Sequence, residues 1–171
     1  MSYFLESESE SCKELLAELA NICLEQLMLS SDAYVCMIKM NMQGYKRLHR
    51  YLSKKFQCLY LDLQNEYLEK YKEIAPTNIE FNEYHPETLK EHLESWNEIL
   101  NIKIKRVGEI IREIFEKEGY ICCIAQEMQK IFYKNIIKNE RALKKFEDCG
   151  WDYKTIYNHD KYIHEKMKLI D

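Results

Sequence analysis

Only four glycines and two prolines interrupt this 171-residue chain, and that scarcity limits its possible folds more than any motif does. A sandwich or barrel of strands needs turn residues every 8–12 residues or so, and this chain cannot supply them. Long helices remain. Apolar residues make up 46% of the sequence and charged residues 32%, enough to fill a core and solvate its outside. A chain of this length is expected to form one domain, spanning residues 1–171.

Apolar periodicity divides the chain into helices. Ser11-Cys12-Lys13-Glu14 has the form of a capping box, so the first helix is expected to open at Ser11, behind an acidic disordered tail over residues 1–10. Leu16, Leu19, Cys23, Leu27, Tyr34 and Ile38 make its main stripe, and Leu15, Ile22, Leu29 and Cys36 a second row. Leu24, Met28 and Val35 fill much of the remaining surface, so the helix is apolar nearly all round between Ile22 and Leu29. Such a helix needs cover on several sides, within a bundle or from another subunit. Ile22, Leu24, Met28, Leu29 and Val35 are therefore the expected oligomer interface.

Gly44 is the first breaker and predicts a tight turn. The alternative is one helix running through it, at a cost of about 1 kcal/mol relative to alanine. The second stripe (Leu48, Leu52, Phe56, Leu59, Leu63, Tyr67, Tyr71, Ile74) runs to Pro76, and residues 75–86 form a long connection, with Pro86 suited to a first helical turn. A third stripe from Leu89 to Ile114 stops at Gly119, and a fourth from Ile121 to Phe146 stops at Gly150. Asp152 is placed to cap a short helix over residues 151–171. The predicted fold is all-α: an antiparallel four-helix bundle with a short fifth helix at the C-terminus.

Residues 1–10 show no basic segment followed by an apolar one, so they do not read as a signal peptide, and no apolar run reaches the ~18 residues of a membrane span. Seven cysteines form no CxxC pair or zinc spacing. Reduced thiols in an intracellular compartment, cytoplasmic or nuclear, are the expectation. Cys122 and Cys123 are expected to pack in the core, as are Tyr60, Tyr67 and Tyr71, while His85, His92, His159 and His164 are expected at the surface.

The net charge of −4 is distributed in blocks. Residues 1–36 carry seven acids and only Lys13; residues 37–61 carry six bases and no acid; residues 62–98 carry ten acids and three bases. Lys46, Arg50 and Lys54 fall on one helix face, with Arg47 and Lys39 nearby, and can meet phosphates, an acidic lipid surface or an acidic protein. The alternative is pairing with the acidic block of the same chain. No recognised nucleic-acid motif accompanies the stripe.

Asp62 and Glu66, four apart on one helix, point the same way and can bind a cation; the plainer role for Glu66 is to pair with Lys70. The segment Asn41-Met42-Gln43-Gly44, followed by Leu48-His49, Asp62-x-x-x-Glu66 and Pro76, resembles the ferritin-like starvation proteins of the Dps family over about 45 residues. That resemblance implies a hollow oligomer and an inter-subunit iron site using His49, Asp62 and Glu66. The sequence departs from the pattern at Lys39, where the family has histidine, and at Met40, where it has tryptophan.

There is no Gly-rich phosphate loop, nucleophile elbow or His-Glu-x-x-His helix. The reading preferred on sequence is thus a non-catalytic bundle that binds a protein partner or itself and needs no cofactor. A ferritin-like iron-oxidising protein is the alternative, with iron as its metal. A third option joins the first two helices through Gly44 into a rod of about 95 Å, as in membrane-associated dimers of the BAR type.

Overall fold

The computed structural model describes residues 2–80 and 82–170, with side chains from residue 12 onward. Five helices follow one another: α1 Ser2–Lys39, α2 Gln43–Tyr71, α3 Leu89–Glu118, α4 Cys123–Asp148 and α5 Tyr153–Lys168. No strand occurs among the described residues, and no helix there is long and apolar enough to cross a membrane.

α1 is already helical at Ser2. The expected start at Ser11 is therefore corrected; of the expected tail over 1–10, Met1 lies outside the described residues, as does the side chain of Ser11. The chain reverses between α1 and α2 at Asn41, whose φ of 58° is left-handed, a conformation asparagine tolerates. That reversal rules out the continuous rod. It also moves the turn away from Gly44, which sits inside the first turn of α2. α2 ends at Lys72, with φ 59° and its amide bonded to the Leu68 carbonyl, four residues before Pro76. α3 starts beyond Pro86, with the Thr88 hydroxyl accepting the Glu91 amide at 3.1 Å. Gly119 closes it at φ 62°, as expected of a glycine past a helix end. Asp152 caps α5 through the Thr155 amide at 3.1 Å.

The pairing order follows from which ends meet. Ser31 on α1 contacts Ser53 on α2, so these helices run antiparallel through the short turn. His49 near the start of α2 meets His92 near the start of α3, and Lys70 at the end of α2 meets Glu118 at the end of α3. Hence α2 and α3 are parallel, and the connection over residues 72–88 travels the length of the bundle. One crossover of this kind defines a recognised bundle class. Side chains pin the strap to α1 and α2. Asn21 donates to the Pro76 carbonyl at 3.1 Å and accepts the Asn78 amide at 3.0 Å, while Gln64 accepts the Ala75 amide at 3.0 Å.

Leu19, Cys23, Phe56, Leu63, Trp96, Leu100, Val107, Met128 and Phe132 fill the main core, each at most 1% exposed. Phe56 and Phe132 stack with centroids 5.3 Å apart, a geometry worth about 0.5–1.5 kcal/mol beyond the area buried. A second cluster (Tyr45, Leu93, Ala142, Phe146 and Ile156) joins α5 to the bundle end. Tyr67 is core, and Tyr60 and Tyr71 pack half-buried against it. Of the adjacent cysteines, Cys122 is buried and Cys123 exposed.

Candidate functional site

Two histidines meet inside the bundle. His49 follows the buried row Leu52, Phe56, Leu59 and Leu63 of α2, and His92 adjoins Leu93 and Trp96 on α3. Each is 1% exposed, and their Nε2 atoms lie 2.9 Å apart. Trp96 stands edge-on to His49 at 4.8 Å and donates its indole N–H to Asn135 Oδ1 on α4 at 2.9 Å. The Tyr84 hydroxyl, from the long connection, lies 2.7 Å from His92 Nδ1 and donates to the His92 carbonyl at 3.1 Å.

Burial keeps both rings neutral. The pKa of His92 is pushed down to about 3; that of His49 falls well below its ordinary value, through burial first and the neighbouring His92 second. With Tyr84 donating to the carbonyl, His92 Nδ1–H donates to the tyrosine oxygen and His92 Nε2 accepts from His49 Nε2–H. The relay ends at His49 Nδ1, which is buried without a partner. It ties α2, α3 and the connection together, and Trp96 extends the tie to α4. The expected surface position of His92 is thus corrected.

Within one chain the residues predicted to bind metal between subunits do not lie together. His49 and Asp62 are thirteen residues apart on one straight helix, about 20 Å along its axis, and His49 faces the core while Asp62 faces solvent. Glu66 accepts a hydrogen bond from the Tyr120 hydroxyl. Lys70, its expected partner, instead pairs with Glu118 at 3.4 Å and lies over the Tyr120 ring. Among the described residues no three His, Cys, Asp or Glu side chains gather to hold a metal ion.

The basic residues do not find the acidic block of their own chain. Arg50 and Lys54 are exposed, Lys46 and Arg47 half-buried, and none of the four meets a carboxylate among the described residues. The expected interface on α1 divides in two. Ile22 and Leu29 pack on the chain's own core. Leu24 and Met28 are half-covered, and Val35 is 48% exposed.

No protein-family model and no characterised protein matches the sequence. Solved structures do. The chain superposes on an open pore ferritin from the hyperthermophilic archaeon Archaeoglobus fulgidus with a TM-score of 0.78 at 13% identity, covering 91% of this chain and 96% of that one. A humanized archaeal ferritin gives 0.78 at 15% identity, with the same coverage. A closed form of the Archaeoglobus fulgidus ferritin, engineered by site-directed mutagenesis, gives 0.75 at 12%, over 91% and 95% of the two chains.

The fold is that of the ferritins. In ferritin-like carboxylate bundles a di-iron centre takes an inward glutamate from each of two helices and a Glu-x-x-His from each of the others. Here no glutamate is buried among the described residues; the buried polar side chains are Gln26, Ser30, His49, His92, Asn97, Lys103, Asn135, Asn139 and Asp160. Midway along the bundle, between α1 and α3, Lys103 Nζ lies 2.9 Å from Gln26 Oε1 and 3.1 Å from Glu25 Oε1. Burial pulls the Lys103 pKa down and Glu25 pushes it up; the amine so held supplies no carboxylate for iron. The interior of this ferritin fold does not fit a di-iron centre.

Proposed function

We propose that the chain is a self-assembling subunit of a ferritin-type hollow homo-oligomer, with no di-iron centre inside its own bundle. The observation that carries this reading is agreement with ferritins over 91% of the chain. The supporting surface lies on α1, where Leu24, Met28 and Val35 recur on one face and Ile38 adds a further side chain 48% exposed. A lone subunit leaves that row in water; a second copy covers it. Iron is the cargo this fold suggests, and it would be met by exposed carboxylates such as Asp62, not by an interior oxidising site. An intracellular location belongs to the same reading.

Sedimentation at micromolar concentration tests assembly. The expected mass is a multiple of 20.8 kDa, and Met28→Glu with Val35→Glu is expected to yield smaller species of unchanged helicity. A wild-type monomer overturns the assembly and points to a different protein as the occupant of that face. Aerobic Fe²⁺ oxidation is expected to run at the rate of protein-free buffer, with Asp62→Ala making no difference. Rapid oxidation by the wild type would sink the absence of an oxidising centre.

A further inference from the structure

Between α1, the connection and the first half of α3 lies a groove made of two adjoining hollows of about 150 and 350 Å³, both lined by Leu29, Asn82 and Ile99. Met28, Leu29, Ile79 and Ile99 give it an apolar floor. Its rim is acidic, formed by Glu25, Asp32, Glu80, Glu83, Glu91 and Glu98, and no lysine or arginine lines either hollow. Glu25 is shared with Lys103, and Glu83 with His85. Asp32, Glu80 and Glu98 meet no cation among the described residues. Like charges crowded on one rim repel, and a cationic partner relieves that cost.

The chain carries such a partner. Lys46, Arg50 and Lys54 span about 12 Å of α2, and Glu25 and Asp32 span about 10.5 Å of the groove wall on α1. Among the described residues no ion pair joins the stripe to the rim within one chain. Two turns beyond Lys54 on the same face of α2 stands Leu61, 56% exposed, an apolar side chain of the kind the groove floor accepts.

We propose that the basic stripe of α2 docks into the acidic groove of a second copy of this chain, the two copies exchanging the contact reciprocally. This rests on the self-assembling reading above and names the surfaces that carry it. A second copy fits better than a nucleic acid or an anionic membrane, because the complementary charge is present on the chain itself and the overall charge is −4. A reciprocal contact places both charge pairings in one two-fold interface.

The test uses full-length chains, with sedimentation at 50 mM and 500 mM salt and circular dichroism to confirm helicity. Arg50→Glu/Lys54→Glu alone, and Glu80→Arg/Glu98→Arg alone, are each expected to weaken association by at least about tenfold, since each sets like charges against one another. The two variants mixed in equal amounts, or all four changes in one chain, are expected to restore it, because attraction returns with its sign reversed. If the wild type assembles and neither double variant weakens it, this interface is wrong while the assembly stands. The same holds if helical variants dissociate but the mixture does not reassociate. A double-stranded DNA probe or anionic vesicles held by the wild type and released by Arg50→Glu/Lys54→Glu, with its mass unchanged, assigns the stripe to a polyanion instead. A wild-type monomer removes both readings.

Discussion

Acidification from pH 6.5 to pH 4.5 is expected to cost this chain roughly 4–5 kcal/mol of stability through two histidines alone. His49 and His92 are buried and held neutral, both with pKa values below the ordinary histidine value of 6.5. In the unfolded chain each ring takes up a proton as the pH falls through about 6.5; in the folded chain neither does. The unfolded state therefore binds more protons, and stability declines as the pH falls. The full contribution is present above pH 6.5, and the loss from His92 stops only near its folded value of about 3. The side chains shown against the pair, Trp96 and Tyr84, carry no charge that would favour an imidazolium. Each fully developed proton difference contributes about 1.4 kcal/mol per pH unit, so two approach twice that. Set against a total of about 5–15 kcal/mol for a typical domain, the loss is enough to unfold a marginal one. Urea midpoints taken from pH 7.5 to 4.5 measure the slope. Replacing His49 by leucine together with His92 by phenylalanine is expected to flatten it. If the slope survives that double substitution, the buried rings are not its source.

Helices were legible in the sequence because their signals are local. Stripe spacing located the four long helices, and Gly119, Gly150 and Asp152 marked the ends and the cap that the structure contains. What failed were readings of particular surfaces: His92, expected outside, is buried, and Lys70, expected on Glu66, pairs with Glu118. His49 sits three and seven residues before Leu52 and Phe56, so the periodicity that places those two in the core also places the histidine there. His92, four residues before Trp96, gave the same signal. Lys103 and Gln26 gave none, since a buried lysine is recognisable only when α1 and α3 are seen together. The capping box at Ser11 was a real local pattern overridden by a helix already formed from Ser2. The turn expected at Gly44 falls at Asn41 instead, and the reason for glycine at position 44 lies 116 residues further on in the sequence, on α5.

Gly44→Ala is accordingly expected to release α5. Gly44 occupies the first turn of α2, where φ is unexceptional, so alanine is welcome as far as the helix itself is concerned and gains about 1 kcal/mol of propensity. The obstacle is tertiary. A Cβ there would come within 3 Å of both the Asp160 carbonyl carbon and the His164 amide nitrogen. Both are backbone atoms of a helix and cannot swing aside, so α5 must move away as a unit. Moving it breaks a cap supplied from a distance. Met42 offers no side-chain bond at the start of α2; Asp160 Oδ1 instead accepts the Tyr45 amide at 3.0 Å, as a local capping residue would. A buried hydrogen bond to a carboxylate contributes about 1.5–3 kcal/mol. Uncovering Tyr45 and Phe146, now 2% and 0% exposed, adds about 1.5–3 kcal/mol for each large apolar side chain. Together these outweigh the propensity gain several-fold, which decides the sign. Hydrogen exchange is expected to show the α5 amides unprotected while those of α1 to α4 keep their protection. Gly108→Ala is the matched control: its Cβ would meet only Gln129 Nε2, at 3.1 Å, the free end of a flexible side chain, so helix propensity prevails there and α5 stays docked. Full protection of α5 in Gly44→Ala would mean that the α2–α5 contact has slack that the close approach of the two backbones denies.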